Sequence, residues 1–185
     1  MRCATYQVND EEILDRTFAY IVKHGLENIT IRELCRGTGL SQGTIYYWFG
    51  DKTTMICEVT EYGLKKVADK IFDYAFANVH DLNKFFSGCI REISRYKNEL
   101  RFIYQMAASP LYGEKIRVNG HALNFIYDMY AKKLAAVLNC EPEELKPPVY
   151  LFISAVLDYI IWDDAKKTQM QLEFIYTMFN KIINR

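Results

Sequence analysis

The sequence lacks the signals by which catalytic proteins are usually identified. Its three histidines, His24, His80 and His121, fall neither in an HExxH motif nor in a His/Cys/carboxylate cluster with metal-ligand spacing. It also contains no GxSxG motif and no phosphate-binding P-loop. We therefore expect a protein that is not an enzyme, with no metal and no cofactor.

Cysteine is present but has no pattern. The five cysteines, Cys3, Cys35, Cys57, Cys89 and Cys140, show no CxxC spacing, and an odd number cannot all pair within one chain. Several lie among helix-forming apolar residues, where a thiol behaves as a small hydrophobe. This usage indicates reduced, buried thiols rather than a disulfide framework.

Targeting and membrane signals are also missing. The opening segment, MRCATYQVNDEE, has no apolar region typical of a signal peptide. The longest apolar run, residues 149–162, is interrupted by Ser154 and Asp158 and is shorter than the roughly 18 residues that a spanning helix needs. Because 50% of the residues are hydrophobic, we expect a folded cytoplasmic protein with no membrane contact.

Capping residues at the N-terminal end predict helices in quick succession. Residues 9–24 carry apolar side chains at helical spacing, with acids in the first turn and Gly25 after the last. Thr30 and Glu33 have the spacing of a capping box, which opens a second, short helix ending near Gly37.

A third helix follows a glycine-bearing turn. Ser41 can cap a helix from Gln42 to Phe49, Gly50 can end it, and Asp51 can cap a fourth. Two short helices joined by such a turn, after a longer helix, are typical of a helix-turn-helix.

The third helix, QGTIYYWF, carries four aromatic residues that cannot all face one core. If Ile45 and Phe49 face inward, Gly43 and Tyr47 lie nearly opposite. Gly43 then allows close approach of the backbone to a groove floor. A protein-docking surface that buries these aromatics is the alternative, since exposed aromatics also favour protein interfaces.

Side chains at the start of this helix suit base recognition, and those at its end suit the DNA backbone. Gln42 and Thr44 can hydrogen-bond base edges, and Tyr47, Trp48 and Lys52 would reach phosphates. A helix of two turns, about 10 Å long, also fits the major groove.

The segment TIRELCRGTGLSQGTIYYWFGDKTTM resembles the DNA-binding segment of the TetR family of bacterial transcriptional regulators. The resemblance covers roughly residues 9–56. It implies that Thr30 and Lys52 contact phosphates, and that Tyr47 and Trp48 pack on the DNA backbone. The residues that it implies for base contact are Arg32, Gln42, Thr44 and Tyr46.

The remainder of the chain also has helical patterns. Residues 55–78 predict a long connecting helix, residues 81–109 one or two more, and residues 114–139 another. The proline-bearing segment CEPEELKPP predicts a loop before a last pair of helices. The expected fold is all-α, with a helix-turn-helix DNA-binding domain over residues 1–52 and a helical-bundle ligand-binding and dimerisation domain over residues 53–185.

The last pair of helices is apolar on more than one side, so a second copy of the chain is the simplest cover. The resemblance likewise implies a homodimer on a palindromic DNA operator. The residues predicted for the interface are Phe152, Val156, Ile160, Ile175, Met178, Phe179 and Ile182.

The resemblance further implies that the C-terminal domain binds a small-molecule effector, here expected to be apolar or aromatic. The predicted lining residues are Tyr104, Phe125, Tyr127, Asp158 and Tyr159. Asp158 has two interpretations, because a carboxylate in an apolar run is costly unless it is paired. It either recognises a cationic or hydroxylated ligand or pairs with a lysine or tyrosine hydroxyl across the dimer interface.

The predicted function is a DNA-binding transcriptional regulator, a repressor released by its ligand. The alternative is a DNA-bound adaptor of the same fold that responds to a protein partner and has no small-molecule pocket. A dry pocket large enough for a ligand would favour the repressor, whereas a filled core with an exposed apolar patch would favour the adaptor.

Charge generates the first testable prediction. Through residue 56 the chain has six basic and seven acidic residues, a net charge of −1, so the usual basic footprint of a DNA-binding protein is missing. Few counterions should be released on binding, and the logarithm of the DNA association constant should fall only shallowly with the logarithm of salt concentration. A slope as steep as that of a strongly basic protein would contradict this expectation.

Overall fold

The computed structural model describes residues 9–25, 29–119 and 121–184, and the side chains of residues 117–127 lie outside this description. The described residues form ten α-helices and no β-strand, which confirms the all-α prediction. In chain order the helices are α1 (Asp10–His24), α2 (Ile31–Thr38), α3 (Gln42–Phe49), α4 (Lys52–Ala77), α5 (Leu82–Ser94), α6 (Lys97–Ala108), α7 (Gly113–Asn119), α8 (His121–Leu138), α9 (Pro142–Trp162) and α10 (Ala165–Ile183).

The predicted caps are present at the first helices. In the capping box of α2, the Thr30 hydroxyl accepts from the Glu33 backbone N–H at 3.2 Å, and the Glu33 carboxylate accepts from the Thr30 N–H at 3.0 Å. Ser41 caps α3 and Asp51 caps α4 by accepting from a backbone N–H three residues on. These local bonds fix where the short helices begin.

The first three helices share a core with the long helix α4. Ile13 and Ile21 of α1, Leu34 of α2 and Ile45 of α3 are each at most 1% exposed. α1 lies along α4, where the Phe18 ring packs directly on Gly63. Because α4 begins at Lys52 and runs to Ala77, it carries this N-terminal unit rigidly into the rest of the chain.

The middle of the chain divides more finely than the sequence pattern indicated. Residues 81–109 form two helices, α5 and α6, separated at Arg95 and Tyr96. Residues 114–139 were expected to form one helix and form two, α7 and α8, on either side of Gly120. Gly120 itself lies outside the described residues.

The prediction of a loop at CEPEELKPP is wrong, because α9 begins at Pro142 and continues through Pro147 and Pro148. Proline is well suited to the first helical position. The two later prolines have no N–H to donate to the carbonyl four residues earlier, so each removes one hydrogen bond from the helix. Burial of Leu145, Pro148 and Val149 favours the helix over the loop.

Because α9 is longer than the apolar run of residues 149–162, its length must be compared again with that of a membrane-spanning helix. At 21 residues it is long and apolar enough to cross a membrane by length and composition, and 39% of the window that meets this test is buried. One such helix is weak evidence for a membrane span, since the core helix of a soluble protein passes the same test. Here α9 packs against α6, α8 and α10.

The described cysteines are free thiols, as their spacing predicted. Cys57 and Cys89 are buried, and Cys35 and Cys140 are half-buried. Burial raises the pKa of the Cys89 thiol to about 12, so this group stays protonated and unreactive at neutral pH. Cys3 lies outside the described residues.

Two glycines in helices should respond oppositely to alanine. A Cβ at Gly63 would lie 2.1 Å from the Phe18 ring, whereas the nearest atom to a Cβ at Gly43 is the Ser41 Oγ at 3.7 Å. We expect Gly63→Ala to destabilise the protein by about 1–3 kcal/mol through overpacking. Gly43→Ala should stabilise it by about 0.5 kcal/mol through backbone entropy. Urea unfolding midpoints measure both changes, and equal effects would contradict the packing of Phe18 on Gly63.

Candidate nucleic-acid interface

The exposed face of α3 is built by the burial of the opposite face. Ile45 and Phe49, one turn apart, are 1% and 4% exposed and anchor the helix on the core. Tyr47 points away from them and is 83% exposed, and Gly43 lies one turn before it on the same face. The exposed face of α3 therefore has the small Gly43 at its N-terminal end and the aromatic Tyr47 one turn further on.

Tyr46 and Trp48 flank Tyr47 and are 46% and 40% exposed. The rings of Tyr47 and Trp48 meet edge to face, with centroids 5.8 Å apart and planes at 89°. This contact holds two large exposed rings in a fixed mutual orientation. The C-terminal end of α3 thus presents three exposed aromatic side chains, each with a polar group, to solvent.

The candidates for base contact occupy the N-terminal ends of two helices. Gln42 is exposed at the first position of α3, and Arg32 is exposed in the first turn of α2. Thr44 is half-buried, and its hydroxyl lies 2.8 Å from the Ser41 Oγ. Gln42 and Arg32 therefore present their polar ends to solvent, while the hydroxyl of Thr44 is partly engaged in the cap.

Lys52 and Thr30, the predicted phosphate contacts, lie together. The Lys52 ammonium donates to the Ile29 carbonyl at 2.8 Å, which holds it next to Thr30 at the start of α2. The Thr30 hydroxyl donates to the Glu33 carboxylate at 2.9 Å, within the capping box. An ammonium group and the N-terminus of a helix are thereby combined, and both attract phosphate.

Arg16 is a residue of this region that the sequence did not indicate. Its guanidinium pairs with Glu12 one turn earlier on α1 and donates to the Thr38 carbonyl at 3.3 Å. That carbonyl precedes Gly39, whose φ of +72° makes the turn between α2 and α3. The spacing of Glu12 and Arg16 was a visible signal for an ion pair, but the link to the turn depends on tertiary structure.

Acidic side chains remain charged in this region. Hydrogen bonds from the Thr30 backbone and hydroxyl lower the pKa of Glu33. Hydrogen bonds from the Thr54 backbone and hydroxyl likewise lower the pKa of Asp51. Both carboxylates take part in capping, Glu33 at the short helix α2 and Asp51 at the long helix α4, so negative charge stays at the start of both helices.

Three of the five predicted effector residues, Tyr104, Asp158 and Tyr159, have described side chains. Tyr104 is half-buried on α6, whereas the side chains of Phe125 and Tyr127 lie outside the described residues. Tyr159 is 7% exposed, and its hydroxyl lies 2.8 Å from the Ser94 hydroxyl on α5. The expectation that these residues line one pocket stays a prediction.

Asp158 has its partners within its own chain. Its carboxylate lies 2.7 Å from the Lys167 ammonium and accepts from the Gln171 amide at 3.1 Å, both on α10. The hydrogen bond from Lys167 is the main cause that lowers the pKa of Asp158. The lysine partner was foreseen, but it links α9 to α10 instead of one subunit to another.

The residues predicted for the dimer interface lie mostly on the inner faces of α9 and α10. Phe152, Met178 and Ile182 are half-buried. The other four, which are at most 5% exposed and belong to the chain's own core, are Val156, Ile160, Ile175 and Phe179. These four side chains are already used in the chain's own core, so a second copy could contact them little, whereas the three half-buried residues remain candidates.

The outer faces of α9 and α10 do carry large apolar side chains. On α9, Leu151, Ile161 and Trp162 are 42%, 54% and 70% exposed, and on α10 Met170 and Phe174 are 65% and 64% exposed. We call these five residues the terminal apolar patch. Large exposed apolar side chains on two neighbouring helices are candidates for an interaction surface.

A metal site finds no support in the described part of the chain. No group of three or more His, Cys, Asp or Glu side chains there is arranged to hold a metal ion.

Comparison with known proteins gives a match to a family model and a match to an individual protein. Residues 13–59 match the family model for bacterial regulatory proteins of the tetR family. The HTH-type transcriptional repressor AcnR of Corynebacterium glutamicum is 25% identical over 108 residues, which are 57% of this chain and 54% of AcnR. The match therefore spans about half the length of this relative.

Two solved structures share the fold over nearly the whole chain. A protein with unknown function from Rhodococcus sp. RHA1 has a TM-score of 0.63 at 13% identity, covering 98% of this chain and 100% of that one. A transcriptional regulator from the same strain has a TM-score of 0.57 at 17% identity, covering 94% and 97%. At these identities the likeness shows the fold alone.

The geometry of α3 generates a prediction for DNA binding. Tyr47→Ala should weaken binding to the DNA upstream of the chain's own gene about tenfold, because its exposed ring would no longer pack on the backbone. Gly43→Ala should also weaken binding, although it stabilises the fold, because the Cβ would hold α3 away from the groove floor. Fluorescence anisotropy measures both.

Leu111→Ala is the control, since Leu111 is 66% exposed and lies outside both α3 and the α9–α10 pair. Unchanged affinity for Tyr47→Ala and Gly43→Ala, alongside unchanged affinity for Leu111→Ala, would show that the exposed face of α3 does not contact DNA.

Proposed function

Because the chain belongs to the TetR family of bacterial transcriptional regulators, we propose that it is a dimeric repressor that binds a palindromic DNA operator and is released by a small molecule. The observation that carries this proposal is the outward face of α3. Gly43 and Tyr47 occupy it, opposite the buried pair Ile45 and Phe49. Such a face suits insertion into a major groove.

Base recognition falls to Arg32, Gln42, Thr44 and Tyr46 in this proposal. The exposure of Arg32 and Gln42 at helix starts supports it, because their side chains can reach base edges without disturbing the core. Thr44 would contribute its methyl group or a shared hydrogen bond, since its hydroxyl is close to Ser41.

Contact with the DNA backbone falls to Thr30, Lys52, Tyr47 and Trp48. Lys52 lies beside the N-terminus of α2, so one phosphate could meet an ammonium and backbone N–H groups together. Tyr47 and Trp48 would pack on the sugar-phosphate backbone next to it. The near-neutral charge of the first 56 residues makes these few contacts the main electrostatic attraction.

Dimerisation is proposed through the terminal apolar patch of α9 and α10. The patch faces away from the chain's own core and combines aromatic, aliphatic and thioether side chains, a composition found at the centre of protein interfaces. Two copies of the α9–α10 pair would form a four-helix bundle with twofold symmetry. That symmetry would present two copies of α3 to the two halves of a palindrome.

Repression, and not activation, is proposed on the likeness to AcnR, which is itself a repressor. Binding over a promoter would exclude the polymerase, so the chain would act without any catalytic step. An effector that is apolar or aromatic would then shift the dimer between two geometries and change the spacing of the two α3 helices. We further propose that the protein acts in the cytoplasm.

A reporter gene placed behind the DNA upstream of the chain's own gene tests this proposal. Wild type should repress the reporter, and Phe174→Asp should relieve repression because a charge in the terminal apolar patch opposes dimerisation. Sedimentation should give a dimer for wild type and a monomer for Phe174→Asp at micromolar concentration.

Leu111→Asp is the control, since Leu111 is 66% exposed, as Phe174 is at 64%, and lies outside α9 and α10. This variant should stay dimeric and should repress. A monomeric wild type, or full repression by monomeric Phe174→Asp, would refute the dimeric repressor.

A further inference from the structure

An apolar cavity of about 50 Å³ lies in the helical bundle and is lined by residues between Ile71 and Phe179. Five helices, α4, α5, α8, α9 and α10, contribute to its walls, and every described side chain that lines it is apolar. Tyr104, Asp158 and Tyr159, which the sequence indicated as effector contacts, are not among the lining residues. The cavity is therefore a distinct place in the molecule.

Five phenylalanines form much of the cavity wall: Phe72, Phe85, Phe86, Phe152 and Phe179. Phe86 and Phe179 are buried, whereas Phe72, Phe85 and Phe152 are half-buried. The cavity thus reaches from the core toward the surface, and its outer rings can move without unfolding the core.

The aromatic wall is connected from helix to helix. Ring centroids are 4.8 Å apart for Phe85 and Phe86, 5.6 Å for Phe85 and Phe152, and 5.9 Å for Phe86 and Phe179. These contacts join α5 to α9 and α10. A group that displaces one ring must therefore shift the others, and with them the helices that carry them.

The volume of the cavity limits which ligands can bind without a movement of the surrounding side chains. An apolar cavity of about 150 Å³ in another protein stays dry and binds benzene or xenon. At about a third of that volume, this cavity can hold a single apolar atom such as xenon, and a benzene-sized molecule requires the rings to move apart. Binding of such a ligand would then require the contacts between α4, α9 and α10 to rearrange.

We propose that this cavity is the binding site for the effector and that the effector is an uncharged, hydrocarbon-like molecule, aliphatic or aromatic. That the bound molecule acts as an effector rests on the proposed function. The location of the site and the chemical class of its ligand follow from the residues that line the cavity. A hydroxyl, amine or carboxylate buried here would lose its hydration and find no hydrogen-bond partner among the described lining side chains. The site therefore selects against polar molecules.

The position of the site also explains how occupancy would reach the DNA-binding unit. Phe72 and Ala75 of α4 line the cavity, and α4 begins at Lys52 beside α3. Phe152 and Phe179 line it from α9 and α10, the helices proposed to form the dimer. Widening the cavity would tilt α4 against the dimer-forming pair.

The test uses the full-length protein with isoleucine, leucine and valine methyl groups labelled for NMR, without DNA. Xenon and benzene should shift the methyl signals of Val79, Leu138 and Val149 in a saturable way. Phenol, which adds one hydroxyl to benzene, should bind about tenfold more weakly or not at all.

Variants locate the site. Leu138→Ala enlarges the cavity and should strengthen benzene binding about tenfold, whereas Leu111→Ala, an exposed leucine outside the lining, should leave it unchanged. Ala75→Met should fill the cavity and weaken benzene binding at least about tenfold, because a flexible thioether chain on a helix is well tolerated in packing.

Three results would overturn the proposal: no saturable methyl shift with xenon or benzene, equal binding of phenol and benzene, or no effect of Ala75→Met and Leu138→Ala. Anisotropy with operator DNA is measured separately. Absence of DNA binding would refute the proposed regulator while the methyl shifts still decide the cavity.

Discussion

The structure depends on the packing of the Phe18 ring between α4 and α6. The ring lies on Gly63 of α4, where a Cβ would not fit, and its centroid is 6.0 Å from that of Phe102 on α6. Asp15 on α1 adds a hydrogen bond from Tyr62 and an ion pair with Lys66, both on α4. These contacts hold α1 against α4 and α6, and α1 in turn packs against α2.

α6 extends this connection to the far end of the chain. The Arg101 guanidinium donates to the Ile160 carbonyl at 2.9 Å, and Lys97 pairs with Asp163 at the end of α9. Lys97 also lies over the Tyr159 ring. One short helix thus contacts α1 through Phe102 and holds the C-terminus of α9. The N-terminal unit and the terminal helix pair are joined by packed side chains and not only by the length of α4.

Local signals made the first 56 residues predictable from sequence. Asn9, Thr30, Ser41 and Asp51 cap their helices through bonds to residues three positions on, so each start could be inferred without knowing the fold. Ile45 and Phe49, which were assumed to face inward because they lie one turn apart, are indeed buried. The resemblance to the TetR family rests on this same region.

The C-terminal half was less predictable because tertiary packing decides its features. Prolines at positions 147 and 148 favour a loop locally, yet burial of Leu145 and Val149 extends α9 through them. From Val149 onward nearly every position of α9 is apolar, and α10 carries apolar residues on more than one face. Periodicity therefore could not tell the core face of Val156 and Ile175 from the outer face of Leu151 and Phe174. The partner of Asp158 likewise depended on how α10 folds back on α9.

The hydrogen bond between Lys52 and the Ile29 carbonyl affects the entropy cost of binding a DNA phosphate. Its long side chain is held on the Ile29 carbonyl in the free protein, so much of its rotamer entropy is lost when the chain folds and not when a phosphate arrives. With one of three ammonium hydrogens engaged, two remain available to an incoming anion. Binding at this point would then cost little ordering, and a chain with a net charge of −1 in its first 56 residues could associate with DNA through few charges that are already in position.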